Sequence, residues 1–316
     1  NQLPTIPQND LAEYFSILYS HPVWLVEELL PLLGSEGTAE FLQANNSQPP
    51  MTAMVNTTKA TAQEATELLA EQGVEVTPHP WLENCLILNK TGNLERLDAY
   101  EQGLFYIQDP ASRLMALASG AAPGMRVLDM CAAPGGKSFA AAIQMDNQGE
   151  VISCDLHPHK KKLIQAGADR LGLSIIKPMT ADGKVRREEW VSAFDLVLVD
   201  APCSGLGVIR KKPDIRYKDP KPLEDLPQVQ QAILENAAGY VKPGGVLMYS
   251  TCTILPRENG EIVSAFLEKH PEFVREAFEL PGAAGRVEAG EITLWPQVHQ
   301  TDGFFICKLR KVGEAP

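Results

Sequence analysis

The chain has no two cysteines spaced C-x-x-C; its six, Cys85, Cys131, Cys154, Cys203, Cys252 and Cys307, are scattered along the whole length. That scatter speaks against a zinc site or a disulfide framework and fits free thiols in a cytoplasmic protein. No apolar run approaches the roughly 18 residues that a membrane helix requires. The opening stretch NQLPTIPQNDLAEYF has neither the basic nor the apolar segment of a secretion signal, and it lacks an initiator Met, so a processed or truncated chain is expected. Basic residues are scarce at the front: the first 100 residues hold 3 Lys/Arg against 13 Asp/Glu. With a net charge of −12, the composition by itself argues against a nucleic-acid partner. No internal repeat and no low-complexity segment is present. The composition is that of a soluble globular protein, expected to be a monomer without metal or membrane partner.

The distribution of charge matters more than its sum. Beyond residue 100 the chain is nearly balanced, with 25 basic and 27 acidic residues, and the basic ones cluster at Lys160-Lys161-Lys162, at Lys184 with Arg186-Arg187, and at Arg210-Lys211-Lys212. Each cluster read singly is a solvated face. Arg210 to Lys212 follows a Pro-Cys turn by seven residues, which places a phosphate backbone within reach of that turn.

Residues 1–104 read as a small α+β domain preceded by a linker. Pro4 and Pro7 break regular structure, Asp10 caps a helix from Leu11, and further helices are expected from Pro22 to Leu33, over 38–44 and over 61–72. Short strands are expected at 51–56, 74–77 and 85–88. From residue 105 the pattern changes to alternating strands and helices: strands at 127–130, 151–154, 175–179, 194–199, 246–249 and 303–311, with helices between them. This is the signature of a doubly wound, mostly parallel Rossmann-like α/β domain over 105–316.

Three features carry chemistry. The loop Cys131-Ala132-Ala133-Pro134-Gly135-Gly136-Lys137 lets backbone approach a ligand and leads into a helix N-terminus. Its ending Gly136-Lys137-Ser138 imitates a phosphate loop, but Cys131 stands where that motif needs its first glycine. Asp155 ends the next strand about twenty residues on, where a ribose-binding acid belongs. The loop is not G-x-G-x-x-G, so an adenosine cofactor without a pyrophosphate, S-adenosylmethionine, fits better than NAD. Asp182, after the third strand, is positioned to read the adenine amino group or to serve as a turn residue. The third feature is the stretch FDLVLVDAPCSG: a buried strand ending in Asp200, then Cys203 after Pro202, with Cys252 at the end of the following strand. A thiolate that attacks carbon 6 of a pyrimidine makes carbon 5 nucleophilic enough to accept a methyl group, and an acid beside ring N3, here Asp200, offsets the charge that develops. The residues alone do not choose between Cys203 and Cys252 as nucleophile. Lys137 could face either the cofactor carboxylate or the nucleophile. A methyltransferase of exocyclic amines would need Asn/Asp-Pro-Pro-aromatic where this chain has Asp200-Ala201-Pro202-Cys203. A non-catalytic RNA-binding scaffold would not need two intact cysteines.

The segments LDMCAAPGGKS, VLVDAPCSGLGVIRKKPDIRY, YSTCTILPREN and DGFFICKL resemble the RNA (cytosine-5) methyltransferase family in its bacterial Sun/Fmu type. YSHPVWLVEELL and ANNSQPP are similar to that family's pre-catalytic region, so the likeness spans essentially the whole chain. The resemblance implies methylation of carbon 5 of a cytosine in 16S ribosomal RNA of the small subunit, with transfer RNA as runner-up. It implies that Cys131 to Lys137, Asp155, Asp182 and Asp200 hold S-adenosylmethionine, that Cys252 is the nucleophile, and that Cys203 assists product release. Two departures stand out. The family's usual N-terminal helical RNA-binding domain is not in this sequence, and Met54 occupies a position where the family often has Arg.

Overall fold

A computed structural model describes residues 10–313, so the linker prolines Pro4 and Pro7 lie outside the described residues. The chain opens with two helices, α1 (Leu11–Tyr19) and α2 (Val23–Asn45). Asp10 caps α1 by accepting from the backbone of Ala12 and Glu13. The second helix is broken at Gly34, whose φ of 67° interrupts the helical path where the sequence places a helix end. Their apolar faces (Phe15, Leu25, Leu29, Phe41) do not join the small sheet that follows. They pack with Leu206, Ile209, Ile215, Ile254 and Leu255, which lie in the loops after Cys203 and Cys252. Within the unit expected over 1–104, the apolar faces of the two helices thus turn to the second half of the chain. The helical part of that unit serves as a buttress for loops of the second half, because that is where the matching apolar side chains are.

The small sheet contains β1 (Met51–Val55), β2 (Glu75–Pro78), β3 (Cys85–Asn89) and β4 (Phe105–Ile107), in the order β2-β3-β1-β4 and antiparallel throughout. Helix α3 (Ala62–Glu71) links β1 to β2, and the single turn α4 (Asp98–Glu101) precedes β4, which completes a βαββαβ, ferredoxin-like arrangement. Thr61 and Glu64 cap α3 reciprocally. Strand β4 carries this sheet past residue 104, the boundary read from sequence; three residues without alternation offer no strand signal of their own. Met54 is buried, 2% exposed, opposite Tyr106 and Cys85. In this chain position 54 is a core position.

The larger sheet runs β10-β14-β9-β8-β5-β6-β7. Five strands are parallel: β5 (Arg126–Asp129), β6 (Glu150–Asp155), β7 (Ile176–Thr180), β8 (Phe194–Asp200) and β9 (Val241–Thr251). Strand β14 (Phe304–Lys311) returns antiparallel beside β9, flanked by β10 (Phe273–Arg275) and β13 (Glu291–Leu294). The pair β11 (Phe278–Glu279) and β12 (Arg286–Val287) forms a separate ribbon. The segment Lys242-Pro243-Gly244-Gly245 lies inside β9 as an irregularity, where the register jumps from Phe194↔Val241 to Leu196↔Val246.

Period-two alternation dictates the layers. Val127, Val151, Leu196, Leu198 and Met248 point to one face, covered by α5 (Pro110–Ser119), α6 (Gly136–Gln144) and α7 (Pro158–Leu171). Leu128, Ile152, Val197, Val199 and Leu247 point to the other, covered by α8 (Leu226–Ala238) and α9 (Gly260–Lys269). The one-turn α10 (Pro296–His299) packs near α2. The chain leaves β5 in one direction to β6 and β7, then crosses back to β8. The crevice at the carboxyl ends of β5 and β8 is the position where such sheets bind ligands. No helix among the described residues is long and apolar enough to cross a membrane.

The small sheet is tied to the larger domain through buried polar bonds. Asn56, fully buried, donates to the carbonyls of Gly103 (3.0 Å) and Leu171 (2.8 Å) and accepts from Thr58. Lys59 donates to the carbonyls of Gln102 and Arg170, and Arg170 stacks over the Tyr100 ring at 3.7 Å. These bonds satisfy carbonyls at the end of α7 that have no partner within the helix. Asn56→Ala should leave the Gly103 and Leu171 carbonyls unpaired and lower stability by about 2 kcal/mol. A urea titration would show this as a shifted midpoint; an unchanged midpoint would contradict the clamp.

Candidate active site

Every acid and thiol singled out in the sequence reaches the carboxyl edge of the sheet. Strand β6 delivers Asp155, 7% exposed, whose Oδ1 accepts from the His157 amide at 3.0 Å. Asp182 follows β7 and accepts from the Lys184 amide at 2.9 Å. Each carboxylate keeps further acceptor positions free for hydroxyl or amino donors. Together with Cys131, Ala133, Asp200 and Cys252 they border a cavity of about 370 Å³, walled on its apolar side by Leu156, Val229 and Ile233. The volume is within the usual range for small ligands. The remaining loop residues, Ala132, Pro134, Gly135, Gly136 and Lys137, do not line it. Gly135 shapes the loop: it begins α6 at a φ of 118°, and a Cβ there would run into the Phe139 ring. Pro134 faces a second cleft.

Asp129, at the end of β5, is a site residue that sequence reading missed. It is fully buried and accepts from Ser138 Oγ (2.8 Å), which in turn accepts from Ser153 Oγ (2.7 Å). The chain of hydroxyls joins β5, α6 and β6 beneath the loop. Its signal was only the Asp129-to-Ser138 spacing across a glycine loop. Burial pushes the Asp129 carboxyl up to about 6.

The two cysteines meet. Asp200 pairs with Ser250 across β8 and β9, and the loops that follow bring Cys203 Sγ to 3.2 Å from Cys252 Sγ. Lys137 pairs with a carboxylate of the site itself: its Nζ lies 2.6 Å from Asp200 Oδ2, while Ser250 Oγ donates to Oδ1 at 2.8 Å. Burial weakens the Lys137 charge, but the Asp200 carboxylate more than offsets it and holds the ammonium form above its ordinary range. The two thiols are hydrogen-bonded to each other. Their mutual hydrogen bond raises Cys203 well above the usual thiol range and lowers Cys252. Burial and Asp200 oppose ionisation of both sulfurs; Glu258 adds to this at Cys203, whereas Lys137 and Lys212 favour the thiolate at Cys252. By contrast, burial pushes the core thiols Cys85 and Cys154 up to about 12, and Cys307 is buried in the last strand.

Backbone contacts set the spacing. The Gly207 amide donates to the Cys252 carbonyl at 2.9 Å, and the Gly303 amide donates to the Gly207 carbonyl at 2.8 Å. A Cβ on Gly207 would collide with the Gly303 carbonyl. Glu258, fully buried, accepts from the Ser204 amide and from Gln230 Nε2, each at 2.9 Å.

Of the cluster Arg210-Lys211-Lys212, two members are not available to phosphate. Arg210 Nε lies 2.8 Å from Asp302, and Lys211 Nζ lies 2.6 Å from Asp109 and 2.7 Å from Asp302. The acids come from a helix cap and a loop about a hundred residues away, invisible to a local reading. Lys212 is exposed and borders a cleft of about 980 Å³ between the two domains, together with Gln48, Lys90, Gln108, Pro134 and Cys252. Cys252 thus borders both cavities. Among the described residues no cluster of His, Cys, Asp and Glu is arranged to hold a metal.

A Rossmann-like sheet, acids at successive strand ends and a ferredoxin-like domain beside them define a methyltransferase of nucleic-acid-modifying type. Residues 116–310 match the family model described as 16S rRNA methyltransferase RsmB/F, and residues 21–95 match that of an RsmF/B-like ferredoxin-like domain. The chain is 42% identical over 300 residues to the probable ribosomal RNA small subunit methyltransferase B of Bacillus subtilis, covering 93% of this chain and 67% of that protein. It is 32% identical over 307 residues to the ribosomal RNA small subunit methyltransferase F of Erwinia tasmaniensis, covering 93% and 64% respectively. The crystal structure of a methyltransferase homolog from Pyrococcus horikoshii superposes with a TM-score of 0.82 at 26% identity, covering 97% of this chain and all of that one. The chain belongs to the RsmB/F family of 16S rRNA methyltransferases, whose methyl donor is S-adenosylmethionine.

Two substitutions test this geometry. Gly207→Ala should cost roughly a hundredfold in methyl transfer by displacing the Cys252 loop; activity within twofold of wild type would contradict it. Asp129 binds its proton more tightly folded than unfolded, so its stabilisation is complete below about pH 4 and is lost as pH rises through about 6. Asp129→Asn should therefore flatten the fall in stability over that window, by about 2–3 kcal/mol at pH 8. Melting curves at pH 4 and pH 8 that differ as much in the variant as in wild type would contradict it.

Proposed function

We propose that this chain methylates carbon 5 of a cytosine in small-subunit ribosomal RNA through a covalent bond between Cys252 and carbon 6 of the base. The observation that carries the reading is the position of Cys252 at the junction of two cavities, 3.2 Å from a second thiol. The smaller cavity fits S-adenosylmethionine. Asp155 would accept from the ribose hydroxyls, Asp182 from the adenine amino group, and the apolar wall of Val229 and Ile233 would cover the ring. When bound there, the cofactor would supply an electrophilic methyl group. The larger cleft admits a base that has left its stack.

The protein's own residues do the remaining work. Cys252, favoured as thiolate, attacks carbon 6, and the electron pair displaced toward carbon 5 makes that carbon nucleophilic. Asp200, which carries the Lys137 ammonium at 2.6 Å, lies beside ring N3, and that cation offsets the charge that develops on the ring. After methyl transfer a base removes the carbon-5 proton, and the carbon 6–sulfur bond breaks. Cys203, held as the thiol, lies within reach to protonate the departing Cys252 sulfur. Lys212, without an ion-pair partner among the described residues, offers the cleft a cation for a phosphate.

The test is incubation of the chain with protein-free small-subunit RNA and isotopically labelled methyl donor, followed by digestion to nucleosides. Label in 5-methylcytidine, absent with Cys252→Ala, is expected. Label in an exocyclic amine or a ribose hydroxyl would overturn the reading. Asp155→Asn should weaken calorimetric binding of S-adenosylmethionine by about tenfold, the value of one charge-assisted hydrogen bond; unchanged affinity would remove Asp155 from the site.

A further inference from the structure

Gln108 is a buried side chain that the chemistry above does not use. It directly follows β4, is 7% exposed, and lines the cleft that Cys252 borders. Its backbone is fixed from two sides. The Gln108 amide donates to the Thr52 carbonyl at 3.2 Å, and the buried Thr52 hydroxyl donates back to the Gln108 carbonyl at 2.7 Å. The next residue, Asp109, caps α5 and pairs with Lys211 of the loop after Cys203. The side chain is oriented as well. Tyr106 Oη donates to Gln108 Oε1 at 3.3 Å, and burial holds that phenol well above its ordinary range, so it stays a donor. The oxygen end of the amide is thereby occupied, and Nε2 is the end left over. Gly136 makes room for it: a Cβ there would stand 3.1 Å from Nε2. Unlike Gly135, Gly136 is not in the left-handed region, so space for the amide is what its missing side chain provides. Among the described residues Nε2 has no acceptor. A fixed, buried amide with both N–H groups unmade is costly unless a ligand completes them.

We propose that Gln108 contacts the substrate base: its Nε2 donates to O2 of the flipped cytosine and stabilises the negative charge that reaches that oxygen when Cys252 adds to carbon 6. The inference rests on the covalent reading above. The chemistry of the amide selects the atom it meets. Nε2 can only donate, so the exocyclic amine of cytosine, itself a donor, is not its partner. Of the two acceptors on the ring, N3 belongs to Asp200 with its Lys137 ammonium, which leaves O2. The methyl donor is not the partner, because Gln108 does not border the cavity that fits it. A phosphate is served better by a cation, and Lys212 offers one to the same cleft. As the sulfur–carbon 6 bond forms, the π pair between carbons 5 and 6 moves onto carbon 5. From there it is delocalised through carbon 4 onto N3 and, through carbon 2, onto O2. A donor held at O2 therefore binds the adduct more strongly than the free base, as a preorganised oxyanion donor does. When carbon 5 has lost its proton and the sulfur departs, O2 is again a neutral carbonyl.

Two preparations of small-subunit RNA test this, one transcribed with cytidine and one with 2-thiocytidine, in which sulfur, a weak acceptor, replaces O2. The kcat/KM for methyl transfer to carbon 5 is measured on both with wild type and Gln108→Ala. Wild type should lose roughly a hundredfold on the 2-thio RNA, the value of one preorganised oxyanion donor. Gln108→Ala should lose about as much on the ordinary RNA and almost nothing further on the 2-thio RNA, because the two changes remove the same bond. Calorimetric binding of S-adenosylmethionine should be unchanged in the variant, which establishes that it is folded. A folded variant as sensitive to sulfur as wild type would overturn the proposal. Should Gln108→Ala not fold, Gln108→Met, which keeps the length and removes both donors, takes its place. Wild-type rates on the two RNAs within twofold of each other overturn the proposal without any variant. Failure of the underlying reading is distinguishable: label from wild type outside 5-methylcytidine sinks that reading and Gln108 with it, whereas label in 5-methylcytidine that is indifferent to Gln108 and to sulfur sinks the Gln108 contact alone.

Discussion

Two thiols 3.2 Å apart in a water-poor site cannot both be ionised. The surrounding structure is organised to break the symmetry between them. The Cys203 loop leaves β8 and the Cys252 loop leaves β9, so their proximity depends on the parallel pairing of those strands. Gly207 and Gly303 then bring backbones closer than any side chain would allow and hold the Cys252 carbonyl. Behind both loops, α1 and α2 supply the apolar support that the strands cannot, since Leu206, Ile209, Ile254 and Leu255 face away from the sheet core. The N-terminal helices therefore act on the site through packing.

The charge balance follows the same logic. An acidic chain that handles RNA must place its few free cations with care. The structure spends Arg210 and Lys211 on Asp109 and Asp302, a buried network that ties the loop after Cys203 to the cap of α5 and the approach to β14. Burial and the neighbouring Asp109 push Asp302 up to about 6, while Lys211 holds Asp109 below the usual carboxylate range against its burial. What remains for the cleft is Lys212, since Lys90, which also borders it, pairs with Glu75. Local charge at such an interface is set by pairing in three dimensions, and the net charge of the chain says little about it.

The sheet was legible because its strands are short, apolar and bounded by acids or glycines. Asp155, Asp182, Asp200, Cys203 and Cys252 were legible as post-strand residues, which the fold necessarily gathers at one edge. Short strands such as β4 and β10 to β13 were not, since two to four residues carry no periodicity. Neither was the role of α1 and α2: amphipathicity predicts that a helix face is covered but not by what. Lys137 and the Arg210 cluster could not be resolved because their partners lie between 63 and 102 residues away in sequence. Asp129 and Glu258 were missed for a related reason. Each is a polar residue inside an otherwise apolar context, and only the three-dimensional neighbours show what its carboxylate bonds to.

The central claim is a division of labour between the two cysteines, and the most direct measurement is covalent trapping. Cys203→Ala and Cys252→Ala are each incubated with small-subunit RNA and S-adenosylmethionine, resolved on a denaturing gel, and any retarded band is digested and mapped. The account predicts that Cys203→Ala accumulates a protein–RNA adduct carried on Cys252 and that Cys252→Ala forms none. An adduct on Cys203 that accumulates in Cys252→Ala would contradict it.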